Sequence, residues 1–127
     1  MTSHHAYTQH HPVGTRVPLV LDSPHSGSHY PDYVRTGANA LSVDFQTSLP
    51  ALRSRVPATL GLQGNLDPML LATGGKVLDA TVEEILRDTR DTPHIFNLGH
   101  GVLPQTDPAV LEAIVRLVHD EGKAGVR

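Results

Sequence analysis

His94-Ile95-Phe96-Asn97-Leu98-Gly99-His100-Gly101, continued by Val102-Leu103-Pro104-Gln105-Thr106-Asp107-Pro108-Ala109-Val110-Leu111, is the stretch whose reading decides the fold. Its first five residues read as a short buried strand. Gly99-His100-Gly101 ends the run in a tight turn. Asp107 is a good helix N-cap and Pro108 suits the first helical position. Val110, Leu111, Ile114, Val115 and Val118 then give a wide apolar face, with Gly122 as the stop. Strand, glycine turn and capped helix make one unit of an α/β fold.

The unit repeats upstream. Leu41 to Phe45 and Leu60 to Gln63 read as strands. Leu49, Leu52 and Val56 fall at i, i+3, i+7, with Ser48 as N-cap and Pro50 in the first turn. Leu78, Val82 and Ile85 repeat that spacing, and Glu83 and Arg87 support it at i, i+4. Strands alternating with helices imply parallel pairing and right-handed crossovers. In such sheets function sits in loops after the strands' C-terminal ends. Those loops are Gln46-Thr47, Gly64-Asn65-Leu66-Asp67-Pro68 and Gly99-His100-Gly101. Before residue 41 the pattern is irregular, apart from the apolar run Val17 to Leu21. Val43, Leu62 and Ile95 or Phe96 are expected on the face away from the helices.

Composition narrows the function classes. The 127 residues suit one domain, and 39% hydrophobic with 18% charged residues places the chain in the soluble globular class. Absence of cysteine excludes disulfides, thiolate zinc sites and cysteine nucleophiles. A net charge of -3 argues against a nucleic-acid partner. No apolar run reaches the roughly 18 residues of a membrane span, and the first residues do not form a secretory signal. A cytoplasmic protein without cofactor is expected. Of nine histidines, His4, His5, His10 and His11 cluster in a polar N-terminal stretch that reads as a mobile tail.

Two positions stand out as chemistry-bearing. His100, between two glycines after a strand, is placed to hydrogen-bond or exchange protons, and the glycines permit close approach of a ligand. An exposed histidine in a plain turn is the competing reading. Asn65 has the donors and acceptor for a polar ligand, although asparagine after glycine is also ordinary turn chemistry. Asp67 before Pro68 reads as a helix cap.

As whole strings, Leu62-Gln63-Gly64-Asn65-Leu66-Asp67-Pro68 and His94 to Pro104 strongly resemble the C-terminal part of uroporphyrinogen decarboxylase, from about Leu41 to about Glu121. The resemblance implies part of a (β/α)8 barrel that removes acetate carboxyl groups from uroporphyrinogen III to give coproporphyrinogen III. It also implies a homodimer working without metal or organic cofactor in tetrapyrrole and heme biosynthesis. The family's active-site histidine lies in its NLGHG string, here His100. Its glycine-rich N-terminal motif with a substrate-binding arginine, its pyrrole-binding aspartate, and its tyrosine and serine precede the matched region. Arg16 and Arg35 do not stand in that pattern, so an inactive fragment or chimera is expected.

The front of the chain resembles another family. Pro18 to Gly27, with Tyr30-Pro31, is similar to the opening of N-formylglutamate amidohydrolases, which are related in fold to zinc carboxypeptidases. That resemblance makes His25 a candidate metal or substrate ligand. His25 and His29 stand at i, i+4, but Pro24 and Gly27 disfavour a helix through them, and a polar turn is the plainer reading. A hydrolytic zinc needs three protein ligands, and their companions are not found downstream. The expected organisation is thus residues 1–37 resembling the amidohydrolase start and residues 38–127 resembling the decarboxylase end. An amidohydrolase-like hydrolase and a non-catalytic α/β interaction module are the alternative functions. Self-association through unpaired sheet edges is expected.

Overall fold

The computed structural model describes residues 20–21, 34–35 and 37–124. Four parallel strands form one sheet: β1 (Val20–Leu21), β2 (Ala40–Val43), β3 (Gly61–Leu66) and β4 (His94–Leu98). Their order in the sheet follows their order in the chain. Helices α1 (Leu49–Arg53), α2 (Pro68–Thr73), α3 (Lys76–Thr89) and α4 (Pro108–Ala124) fill the connections and follow the last strand. Right-handed crossovers in a sheet of sequential order put α1, α2 and α3 on the same face, and Ile114 of α4 packs into the same core. The expected parallel strand–helix units are therefore present, and His94 to Leu98 is a strand as expected.

Local chemistry sets the element ends. Ser48 Oγ accepts from the Ala51 backbone N–H at 3.4 Å and opens α1, with Pro50 in its first turn. Asp67 caps α2 by accepting from Met69 N–H at 2.8 Å, as its place before Pro68 suggests. Asp107 does the same for α4 through Ala109 N–H at 2.9 Å. Several boundaries differ from those read in the sequence. Helix α1 stops at Arg53, so Val56 is buried from the turn that follows, not from the helix. Arg53 explains the stop: its Nη1 donates to the carbonyls of Pro57 (3.0 Å) and Leu60 (2.9 Å), folding the chain back into β3. Strand β3 runs on to Leu66, absorbing residues read as loop, because Asn65 and Leu66 still pair with Asn97 and Leu98. Helix α4 passes through Gly122, where a stop was expected.

The core lies between sheet and helices. Leu41, Val43, Leu62 and Leu66 are at most 2% exposed and cluster with Leu49 and Leu52 of α1, Leu71 of α2, Leu78, Val82 and Ile85 of α3, and Ile114 of α4. Burying each such side chain stabilises by about 1.5–3 kcal/mol. The expectation for the opposite face is corrected here. Val43 and Leu62 belong to this core, and Phe96, in register with Gly64, lies on the same side and packs against it. Strand alternation puts Ile95 on the other face, beside Gln63 and Ser42, whose side chains bond at 3.1 Å.

The N-terminal segment is not wholly irregular. Val20 pairs with Ala40 and Leu21 with Leu41, so part of residues 1–37 and part of residues 38–127 share one sheet. The rest of the Val17 run, the clustered histidines, His25 and His29 lie outside the described residues.

Candidate active-site rim

Three chain segments meet at the C-terminal end of the sheet. After β2, Asp44 is 9% exposed, and its Oδ1 accepts from the backbone N–H groups of Gln46 (2.8 Å) and Thr47 (2.9 Å). The Thr47 hydroxyl lies 3.1 Å from both carboxylate oxygens. This closes Asp44 to Thr47 into a compact turn. At the end of β3, the Asn65 side-chain amide nitrogen donates to the carbonyls of Asp44 (2.8 Å) and Thr47 (2.6 Å). Asn65 thus ties the two neighbouring rim segments together, at a φ of 85° that asparagine tolerates better than most residues.

Two glycines let these segments converge. Gly64 has φ +103°, and a Cβ there would stand 2.7 Å from the Val43 carbonyl oxygen and 3.0 Å from that of Leu98. Gly99 presses against the backbone of Asp44 and Phe45, where no Cβ fits. The close approach expected of Gly99 is therefore made to neighbouring backbone. Gly101, by contrast, has nothing within 4 Å of a built Cβ.

His100 projects from this rim. It is exposed, and its Nδ1 accepts from the Gly101 backbone N–H at 2.7 Å. An acceptor at Nδ1 leaves the neutral ring's proton on Nε2. Asn65 and His100 share the rim. A cavity of about 400 Å3 next to α1 and α3 is lined by Asn65, Phe45, Ser48 and Asp67, without His100. Asp44 is the residue that sequence reading missed as a rim organiser. The available signal was a carboxylate directly after Val43, within the stretch Leu41 to Phe45 that reads as a strand.

At the other end of β4, His94 has both ring nitrogens buried without a hydrogen-bond partner. Burial, and secondarily the charge of Arg53, lowers its pKa from 6.5 to about 4. Among the described residues no three His, Asp or Glu side chains converge as a metal set. No helix among them is long and apolar enough to cross a membrane.

Comparison with known proteins places this chain in a family. The family model described as uroporphyrinogen decarboxylase (URO-D) matches residues 3–121. A uroporphyrinogen decarboxylase of Salinispora tropica is 48% identical over 85 residues, covering 66% of this chain and 23% of that protein. That of Hyphomonas neptunium is 41% identical over 108 residues, covering 84% and 31%, and that of Leifsonia xyli 43% over 104 residues, covering 81% and 28%. The chain thus spans about a quarter to a third of the length of these relatives. The family match also takes in the Pro18 to Tyr30 stretch, whose amidohydrolase resemblance receives no support from these comparisons. A parallel strand–helix sheet, a rim built on Gly64, Asn65 and Gly99, and a match across 3–121 agree: this chain belongs to the uroporphyrinogen decarboxylase family.

Proposed function

We propose that this chain is a C-terminal section of a (β/α)8 decarboxylase barrel and that His100 is its contribution to a tetrapyrrole site. The observation that carries this reading is the pose of His100. Its Nδ1 is anchored on Gly101, and the ring stands exposed at the end of the sheet where parallel α/β folds bind ligands. The reaction replaces the C–CO2 bond of an acetate arm by a C–H bond. Carbon dioxide leaves without the bonding electron pair, and the arm carbon takes up a proton. An imidazole can hold a departing carboxylate or relay that proton. The same reaction needs further cationic groups for the other carboxylates and an anion facing the pyrrole N–H groups.

On this reading Asn65 supports substrate binding by fixing the rim, and residues 38–127 carry the decarboxylase-like section. Assembly with a second copy, as the family resemblance implies, belongs to the same proposal.

The test is binding of uroporphyrin, a stable oxidised stand-in for uroporphyrinogen, followed by fluorescence, with decarboxylation of uroporphyrinogen assayed in parallel. His100→Ala should weaken binding by about tenfold, roughly the loss of one charge-assisted hydrogen bond. His119→Ala, at an exposed position on α4, should not. The isolated chain should release no carbon dioxide above background. Binding indifferent to His100 overturns the assignment. Bound zinc together with hydrolysis of an N-formylated acidic amino acid would favour the N-terminal resemblance instead.

A further inference from the structure

The sheet face away from the helices is polar where a packed interior is the norm. Ser42, Gln63 and Ile95 stand in one row across β2, β3 and β4, and Asn97 stands two residues further toward the rim. Alternation sets these side chains on that face, because Leu41, Val43, Leu62, Phe96 and Leu98 turn to the core on the helix side. In a (β/α)8 barrel the helix-free face lines the interior, which layers of branched apolar side chains fill. Of these positions only Ile95 follows that rule.

The two amides are anchored and keep donors in reserve. Gln63 Nε2 donates to Ser42 Oγ at 3.1 Å, and Ser42 is buried. Asn97 is exposed, and its Oδ1 accepts from the Leu98 backbone N–H at 2.8 Å. A backbone N–H can only donate, so this bond identifies the oxygen and leaves Nδ2 facing the other way. The N–H groups of Asn97 Nδ2 and the second N–H of Gln63 Nε2 meet no acceptor among the described residues. Asn65, the register partner of Asn97, differs, since its amide is committed to the Asp44 and Thr47 carbonyls. Gln63 lies roughly 7 Å below Asn97 along the strand direction, and His100 follows Asn97 by three residues.

We propose that Asn97 and Gln63 determine specificity at the tetrapyrrole site, their free amide N–H groups receiving an acetate carboxylate of the substrate, with Ser42 as the positioning residue that holds Gln63. This rests on the functional reading above. Decarboxylation turns an acetate arm into a methyl group. A directional donor pairs with the carboxylate and is left unpaired by the methyl group, which is how hydrogen-bonding sites reject an analogue lacking the partner. The pair therefore favours substrate over product.

Equilibrium binding of uroporphyrin and of coproporphyrin, which carries methyl groups in place of the acetate arms, tests this by fluorescence. The unaltered chain should prefer uroporphyrin. Gln63→Met and Asn97→Leu remove donors without adding charge. Each should lower the preference by about tenfold, as expected for one hydrogen bond to a charged group, with coproporphyrin affinity unchanged. Ser42→Ala, which releases Gln63, should lower the preference by less. Thermal unfolding midpoints check that each variant folds. If Asn97→Leu does not, Asn97→Asp keeps the acceptor for the Leu98 N–H, and Gln105→Glu, at an exposed position, controls for the added charge.

A preference unchanged in these variants, or affinities for both porphyrins that fall in equal proportion, overturns the inference. So does an unaltered chain that binds both porphyrins equally. In those cases the proposed function stands if His100→Ala still weakens uroporphyrin binding. A preference lost with Gln63→Met and Asn97→Leu while His100→Ala is silent removes His100 from the site and upholds the amide pair. Binding of neither porphyrin by the unaltered chain overturns both.

Discussion

Asn65 separates what a residue type announces from what its neighbours make of it. Gly-Asn at a strand end reads from sequence either as turn chemistry or as a ligand contact. The side chain sits on the rim, yet its amide donates to the Asp44 and Thr47 carbonyls, partners about twenty residues away that no local pattern reveals. The backbone φ of 85° adds a second demand. Two substitutions separate them. Asn65→Gly keeps the backbone free and loses only the hydrogen bonds, so it should cost about 1–3 kcal/mol. Asn65→Ala loses the same bonds and adds left-handed strain of about 1 kcal/mol, so it should be the worse of the two in urea denaturation. Equal midpoints would mean that the conformation carries no strain. Gly99 obeys the same logic. Its importance was legible as a glycine beside a histidine, but the reason, contact with the Asp44–Phe45 backbone, is tertiary. Gly99→Ala should destabilise by about 1–3 kcal/mol and displace His100, whereas Gly101→Ala meets empty space and should be nearly silent in the same assay.

At the scale of elements, the strands and helices with caps were the legible part. Ser48, Asp67 and Asp107 all cap the helices they precede, because capping is a local interaction written within three residues. Strand extent was less legible. Strand β3 continues through Gly64 and Asn65 because β4 pairs with them, which is a property of the partner. The facing of β4 was legible only as a pair of options, Ile95 or Phe96, since a short apolar run without alternation does not state its register. That register matters for pH dependence. It turns His94 to the helix side, where Arg53 lies near and Glu83, Arg87, Arg90 and Glu121 line the adjoining cavity. A pKa near 4 in the fold against 6.5 in the unfolded chain means that the unfolded state binds the extra proton first. The contribution of the neutral ring is complete above about pH 6.5, declines as pH falls, and is gone below about pH 4. Thermal unfolding followed from pH 7 to 4 should therefore show a falling midpoint, and His94→Phe should flatten that part of the curve. A slope unchanged by the substitution would assign the acid sensitivity to other groups.

Across the whole molecule, the distribution of apolar surface is lopsided. The core between sheet and helices is well filled near β2 and β3, where Leu41, Leu62, Leu66, Leu71, Leu78 and Val82 are at most 2% exposed. Toward β4 it thins, and Ile95, Val102 and Val115 are about half exposed around a strand edge that no described residue pairs with. Domains of this size are held by only ~5–15 kcal/mol, and each large apolar side chain left in water forgoes part of the ~1.5–3 kcal/mol that burial would bring. Association is the inexpensive way to recover that energy, because an edge strand and an apolar groove can be covered by another molecule without refolding the core. The chain on its own should therefore self-associate at low micromolar concentration, and its unfolding midpoint should rise with concentration as mass action requires. Light scattering and thermal unfolding over a hundredfold concentration range measure both effects. Ile95→Lys places a charge on the exposed face of β4, away from the core, so it should lower the association without lowering the midpoint measured at high dilution. A monodisperse monomer with a sharp, concentration-independent transition would mean that the β4 side is closed within the chain itself, and the expected self-association would fail.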